Sequence, residues 1–183
     1  MNTTFLFLAE GFEEIEALTV VDVLRRASVY VDTVSVTEDY MAHGAHGINV
    51  QTEDLFERVN FVEFDMIVLP GGMPGTANLN SHSGVRRVVK DFVESGKFVG
   101  AICAAPGILG GMGILKGRRA ACSPSVEEKL SGAVIVKEPV VQDANIITSR
   151  GMGTAIDFSL KLVEVLVDEK KAKELAESII YTR

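Results

Sequence analysis

Tryptophan is absent from this chain of 183 residues, and cysteine nearly so, with two. Two cysteines in a chain this long cannot build a disulfide scaffold, and a reducing, cytoplasmic setting fits their scarcity. Basic residues are in deficit: 18 Lys and Arg face 25 Asp and Glu, a formal net charge of −7. That balance argues against a nucleic-acid surface, which needs a basic stripe, and against docking on anionic membranes. It favours small-molecule chemistry or protein partners. No run of about 18 apolar residues occurs, so no membrane span is expected. The apolar stretch Phe5 to Leu8 lacks a basic lead-in and meets Glu10, Glu13 and Glu14 too soon for a signal peptide. Histidine is also sparse. His43, His46 and His82 all precede Cys103, and no His/Cys/Asp/Glu cluster has metal-ligand spacing. The expectation is a protein with no metal and no organic cofactor.

What remains is an ordinary globular composition, 47% hydrophobic with 17 glycines. No repeat or linker interrupts it, so residues 1–183 are read as one domain. Short apolar runs alternate with helical patterns, the signature of βαβ units on a parallel sheet. Candidate strands are Thr4–Leu8, Val31–Val36, Met66–Leu69, Phe98–Cys103 and Asn145–Thr148. Their near-continuous apolarity predicts a sheet covered by helices on both faces. Candidate helices are Glu13–Ala27, Ser83–Ser95, Thr154–Val167 and Glu169–Ile180. In the second, Val85, Val88, Val89, Phe92 and Val93 share one face, opposite Arg86, Arg87 and Lys90. Tyr40–Phe56 reads as a small hairpin or loop excursion, and Ala120–Val141 as irregular with a short helix after Pro124.

Chemistry concentrates in Phe98–Gly107. A buried strand runs into Cys103, and the small residues Ala104 and Ala105 then open a helix. This has the outline of a nucleophile elbow, a sharp turn that lifts a side chain out of the sheet. A helix start would give the thiol thiolate character, and the Ala104 amide would point at an oxyanion. Equally, a cysteine ending an apolar strand can be inert packing; for Cys122, with no elbow, packing is the reading. The preceding strand ends in Leu69-Pro70-Gly71-Gly72-Met73-Pro74-Gly75, where Gly71 and Gly72 let backbone approach a ligand, or simply make a turn. Gly151-Met152-Gly153-Thr154 lacks the third glycine of a dinucleotide fingerprint, and Thr154 reads as a helix N-cap. Glu13 and Glu14 sit where first-turn acids suit the helix dipole. Glu16 shares spacing with Val20, Val23 and Ala27, which puts its carboxyl on a covered face. Burial would raise its pKa and suit it to moving protons. The alternative is a third solvated glutamate in an acidic cluster.

Four motifs, taken together, resemble the DJ-one/ThiJ/PfpI superfamily, and within it the DJ-one/ThiJ branch. They are Leu8–Glu16, Val68–Gly72, Ala101–Pro106 and Thr148–Thr154, in family order from end to end. The resemblance implies a flavodoxin-like three-layer α/β sandwich with a mainly parallel sheet, assembled as a homodimer. It also implies a strained reactive Cys103 hydrogen-bonded by a protonated Glu16, with the Gly72 and Ala104 amides facing the same pocket. Two departures matter. Ala104 stands where the protease-like branch carries histidine, which weakens a peptidase or amidotransferase-like reading. Ser123 stands where some relatives place a histidine. His46 falls roughly where relatives bring a basic side chain across the dimer interface. The leading expectation is a cofactor-free enzyme of the glyoxalase or deglycase kind, acting on small reactive carbonyls such as methylglyoxal through Cys103 and Glu16. The rival is a redox-sensing stress protein or chaperone whose Cys103 meets an oxidant and becomes a sulfinic acid.

Overall fold

The structure is a computed structural model that describes residues 2–182. In chain order the elements are β1 (Thr3–Leu8), α1 (Glu14–Arg26), β2 (Tyr30–Ser35), β3 (Met41–His43), β4 (Asn49–Gln51), β5 (Asp54–Leu55) and β6 (Met66–Leu69). There follow α2 (Gly75–Ser81), α3 (Ser83–Glu94), β7 (Phe98–Ile102), α4 (Pro106–Gly111), β8 (Arg119–Ala120), β9 (Val134–Ile135), β10 (Val140–Asp143), β11 (Ile146–Ser149), α5 (Ala155–Leu166) and α6 (Glu169–Ser178).

Seven strands form the main sheet in the order β10-β11-β7-β6-β1-β2-β5. Every pairing is parallel except β10 with β11. Its five long strands, β2-β1-β6-β7-β11, follow the flavodoxin-like order. All five match the sequence expectation. The edges β5 and β10 do not appear in it, because two- and four-residue strands with one open side leave little hydrophobic pattern.

The period-two alternation of the strands divides the core. Phe5, Phe7, Ile67 and Leu69 point to the layer of α2, α3 and α4, where Val85, Val88, Val89, Phe92, Ile108 and Leu109 meet them. Leu6, Leu8, Met66 and Val68 point the other way, onto Ala17, Val20, Leu24, Phe158, Leu162 and Val163 of α1 and α5. Each fully buried side chain contributes roughly 1.5–3 kcal/mol of hydrophobic stabilisation, so the two layers fix the sheet between them. Among the described residues no helix is long and apolar enough to cross a membrane. The Tyr40–Phe56 excursion contains the β3–β4 hairpin, in antiparallel register from Met41 opposite Gln51 to His43 opposite Asn49. The short helix after Pro124 is a 3-10 turn over Pro124–Lys129.

The topology creates the site. From β1 the chain passes to β2 on one side and then returns to β6 on the other. At that switch point the loops after β1 and β6 diverge, leaving a crevice at the C-terminal edge of the sheet. The loop after β7 joins it.

Candidate active site

Three loop ends converge in this crevice. Glu16 arrives from the first turn of α1, Gly71 from the end of β6 and Cys103 from the end of β7. The first two loops are zipped together by backbone: Glu13 N–H donates to Gly71 O at 3.0 Å and Gly75 N–H to Gly11 O at 3.1 Å. Glu13 is the N-cap of α1, its Oε2 accepting from Glu16 N–H at 2.7 Å. This cap sets the first turn so that Glu16, 1% exposed, faces the sheet edge.

Gly71 is required by closeness. A Cβ there would lie 2.7 Å from Cys103 Cβ and 3.2 Å from Sγ, so only glycine lets the loop pass between Glu16 and Cys103. Gly72 has φ +93, the left-handed region, and a side chain would also strike the backbone of Phe12 and Glu13. Among the described residues neither Gly72 nor Ala104 donates its N–H to a backbone carbonyl.

Cys103 has φ 63, a left-handed conformation for a residue with a Cβ. Such a conformation costs on the order of 1–3 kcal/mol and persists only where the surroundings over-determine it. Here they do: Cys103 N–H donates to Ser149 O at 3.0 Å, and Ser123 N–H donates to Cys103 O at 2.8 Å. Both backbone groups are clamped while the side chain is turned into the crevice. The strained elbow expected from the sequence is present.

The Glu16 carboxyl and the Cys103 thiol flank Gly71 closely: a Cβ on that glycine would lie 2.5 Å from Glu16 Oε2 and 3.2 Å from Cys103 Sγ. Glu16 Oε2 accepts from Gly71 N–H at 2.8 Å. Oε1 is buried and has no hydrogen-bond partner among the described residues. Burial pushes the carboxyl up to about 7, against the pull of the thiol and of the Gly71 and Met152 backbone. Burial likewise pushes the thiol up to about 12, helped by the charge and hydrogen bond of Glu16 and opposed by the Ala104 amide. The expectation that a helix start lowers the Cys103 pKa is therefore corrected. Helix α4 has only six residues and begins at Pro106, which has no N–H to offer. Near neutrality the pair holds one proton fewer than two, and that first titration belongs to the pair rather than to either residue. Cys122 behaves as the packing reading expects: it is 2% exposed, and burial, then Glu127, raises it to about 11.

The other residues singled out lie as follows. Thr154 precedes α5 but does not cap it; its Oγ1 lies 2.7 Å from Ser149 Oγ and donates to Gly151 O at 2.9 Å. The turn it braces holds Gly151 3.8 Å from the sulfur, measured from an added Cβ. Gly151 and Met152 thus join the site through backbone, which periodicity cannot announce. Ser123 supports Cys103 by its N–H, while its hydroxyl pairs with Ser125 Oγ at 2.9 Å. His46 stays away from the sulfur: its Nδ1 meets Glu14 Oε2 at 2.7 Å and its N–H donates to Glu14 Oε1 at 2.6 Å. His43 pairs with Glu10 at 3.0 Å, and His82 Nδ1 accepts from Val85 N–H at 3.1 Å as the cap of α3. All three histidines are engaged elsewhere, so a Cys-His hydrolase pair does not form within the chain.

Glu13, Glu14 and His46 bring one ligand-type atom each within 4.8 Å of one another, a gathering hidden from sequence spacing. Glu13 and Glu14 are structural, as expected at a helix start, but through specific partners rather than the dipole alone: one is a cap and the other, 2% exposed, a buried partner of His46.

A model of the DJ-1/PfpI family matches residues 2–165. The chain is 37% identical over 175 residues to Protein DJ-1 homolog B of Arabidopsis thaliana, covering 94% of this chain and 40% of that protein. It thus spans less than half the length of that relative. It is 35% identical over 177 residues to a glutathione-independent glyoxalase of Caenorhabditis elegans, covering 95% of this chain and 93% of that one. Among solved structures, the C103A mutant of a DJ-1 superfamily protein from Salmonella typhimurium superposes with a TM-score of 0.95 at 36% identity, covering 100% of both chains.

Proposed function

We propose, given that this chain belongs to the DJ-1/PfpI family, that it is a cofactor-free enzyme converting small 2-oxoaldehydes such as methylglyoxal to 2-hydroxy acids through Cys103 and Glu16. The observation that carries this reading is the buried Glu16 carboxyl, raised to about 7 beside a thiol held in a strained turn. A general base works best when its pKa lies near the operating pH.

The aldehyde carbon accepts the Cys103 sulfur, and the thiol proton passes by way of Glu16 to the aldehyde oxygen, giving a hemithioacetal. The Glu16 carboxylate removes the proton from that carbon and returns it to the neighbouring one, while the hydroxyl proton passes to the neighbouring oxygen, which leaves a thioester of the hydroxy acid. Water cleaves the thioester, releasing the hydroxy acid and restoring the thiol. The Gly72 and Ala104 amides are the donors for the oxygen that carries charge, a contribution worth about 10²–10³ in rate per donor. The protein is read as a cytoplasmic homodimer of one-domain chains; Ile15 and Leu18 on α1 and Ile48 beside it are large apolar side chains left exposed.

The test is steady-state conversion of methylglyoxal to lactate by the purified chain, with Cys103→Ala as control. Turnover above background that vanishes in the variant supports the reading; equal turnover in both ends it. A second reading, cysteine oxidation as the main role, is favoured by Glu16 Oε1: a proton there makes it a donor beside the sulfur, suited to hold a sulfinate oxygen. Mass spectrometry of peroxide-treated protein, showing Cys103 sulfinate without carbonyl turnover, would select it.

A further inference from the structure

The turn that follows β11 acts on both members of the reacting pair through its main chain. Gly151 lies beside the sulfur, an added Cβ falling 3.8 Å from Cys103 Sγ. Burial raises the Glu16 carboxyl, and the backbone of the next residue, Met152, is among the groups that oppose it. Main-chain groups work on the pair only as accurately as the turn is held. Thr154 Oγ1 closes the turn, accepting from Gly151 N–H at 3.2 Å and lying 2.9 Å from Gly151 O. Thr154 N–H donates to the same carbonyl at 2.8 Å.

Ser149 ties this closed turn to the sheet. Its Oγ lies 2.7 Å from Thr154 Oγ1 and donates at 2.7 Å to the carbonyl of Pro139, the residue before β10. Its own carbonyl accepts from Cys103 N–H at 3.0 Å. One residue therefore anchors the strained cysteine by its main chain and the Gly151–Thr154 turn by its hydroxyl. Ser149 is 0% exposed. The strand residues before it, Ile146 and Ile147, pack into the two core layers, where an apolar side chain serves packing better than a hydroxyl. Ser159 supplies the contrast. It is equally buried, but its Oγ donates at 2.7 Å to Ala155 O, a local bond within α5 that leads away from the pair.

We propose that Ser149 and Thr154 are positioning residues: their bridged hydroxyls hold the Gly151–Met152 main chain against Cys103 and Glu16, so that proton transfer by the pair depends on two side chains that never touch substrate. The inference rests on the function proposed above and deepens it.

The experiment reads Glu16 itself. Side-chain carboxyl 13C NMR gives its midpoint, and methylglyoxal turnover gives kcat and KM. Thr154→Val and Ser149→Ala should each move the midpoint from about 7 toward about 8, because a turn that drifts withdraws the Met152 backbone and leaves burial less opposed. Each should lower kcat about tenfold and leave KM within about twofold, the mark of lost alignment rather than lost binding. Thr154→Ser keeps the hydroxyl and should match wild type in both. Ser159→Ala should lower thermal stability and move neither. Should Thr154→Val fail to fold, Ser149→Ala decides, since it retains the carbonyl that accepts from Cys103 N–H. A folded variant of the bridge whose midpoint and kcat equal those of wild type overturns the proposal, and so does a Ser159→Ala protein that shifts them as much. A midpoint that moves with the bridge while no variant, nor wild type, converts methylglyoxal means that the proposed function fails and the positioning role stands. Conversion that needs Cys103 but is indifferent to both hydroxyls removes the positioning role and leaves the function standing.

Discussion

Glu14 and Glu16 stand two residues apart in the first turn of α1, 2% and 1% exposed, and burial pushes both carboxyls upward. Their outcomes are opposite. At Glu14 the His46 imidazole and the His46 backbone N–H outweigh burial and hold the carboxyl below its ordinary value. At Glu16 burial wins over the thiol and the Gly71 and Met152 backbone, and Oε1 has no hydrogen-bond partner among the described residues. Neighbouring carboxyls of similar surface exposure thus shift in opposite directions, because Glu16 lies deeper in the fold and its donors do not offset the heavier desolvation. One glutamate is a structural anion tying the β3–β4 hairpin to α1. The other is a proton carrier at the sheet edge.

The comparison is broken most forcefully by substitution. Glu16→Gln keeps a hydrogen-bonding group but cannot move protons, and should lower methylglyoxal turnover by about 10²- to 10⁴-fold. Glu14→Gln should leave turnover close to wild type while lowering thermal stability slightly, since it weakens the contact between a buried carboxylate and the exposed His46 imidazole. Similar losses of turnover in both variants would erase the distinction. Gly71→Ala should cost about 10²-fold in turnover, because the added Cβ falls 2.7 Å from Cys103 Cβ and must move one partner. Retained activity in that variant would mean the loop has slack the site does not show.

pH sharpens the same contrast without touching turnover. Glu16 is raised from 4.5 to about 7, so its contribution to stability is present below 4.5 and lost as pH rises through 7. The loss is on the order of 3 kcal/mol. Glu14 runs the other way, stabilising above 4.5 and losing that as pH falls through its lowered value. His46, raised above 6.5 by the Glu14 hydrogen bond, releases its share as pH climbs past its own value. Denaturant titrations should show wild type losing stability relative to Glu16→Gln between pH 5 and 8, and relative to Glu14→Gln on acidification below 4.5. Parallel curves would contradict the account. The smallest effect is at Glu13, where Glu13→Ala removes the cap on Glu16 N–H and should cost about 1 kcal/mol in chemical denaturation.

How much of this was legible beforehand follows from where the information resides. The five long strands and four of the helices were, because Phe5 to Leu8 or Val85 to Phe92 carry their burial in their own periodicity. The covered position of Glu16 was legible for the same reason, through Val20, Val23 and Ala27. The fates of Glu13 and Glu14 were not: one depends on cap geometry, the other on His46 arriving from a hairpin 32 residues away. The thiol shift runs against the helix-start expectation because burial of the sulfur, which residue type and spacing do not show, is the largest influence on it. Gly151 and Met152 contribute only backbone, which leaves no residue-type signal. The four motifs that resemble the family carried Cys103, Glu16, Gly72 and Ala104 together.

The central claim is that Glu16 and Cys103 share a proton near neutrality. A 13C NMR titration of side-chain carboxyls, with Glu16 assigned by Glu16→Gln and repeated on Cys103→Ala, tests it directly. The account predicts a Glu16 midpoint near 7 that shifts when the sulfur is removed. A midpoint at or below 4.5, indifferent to Cys103, would contradict it.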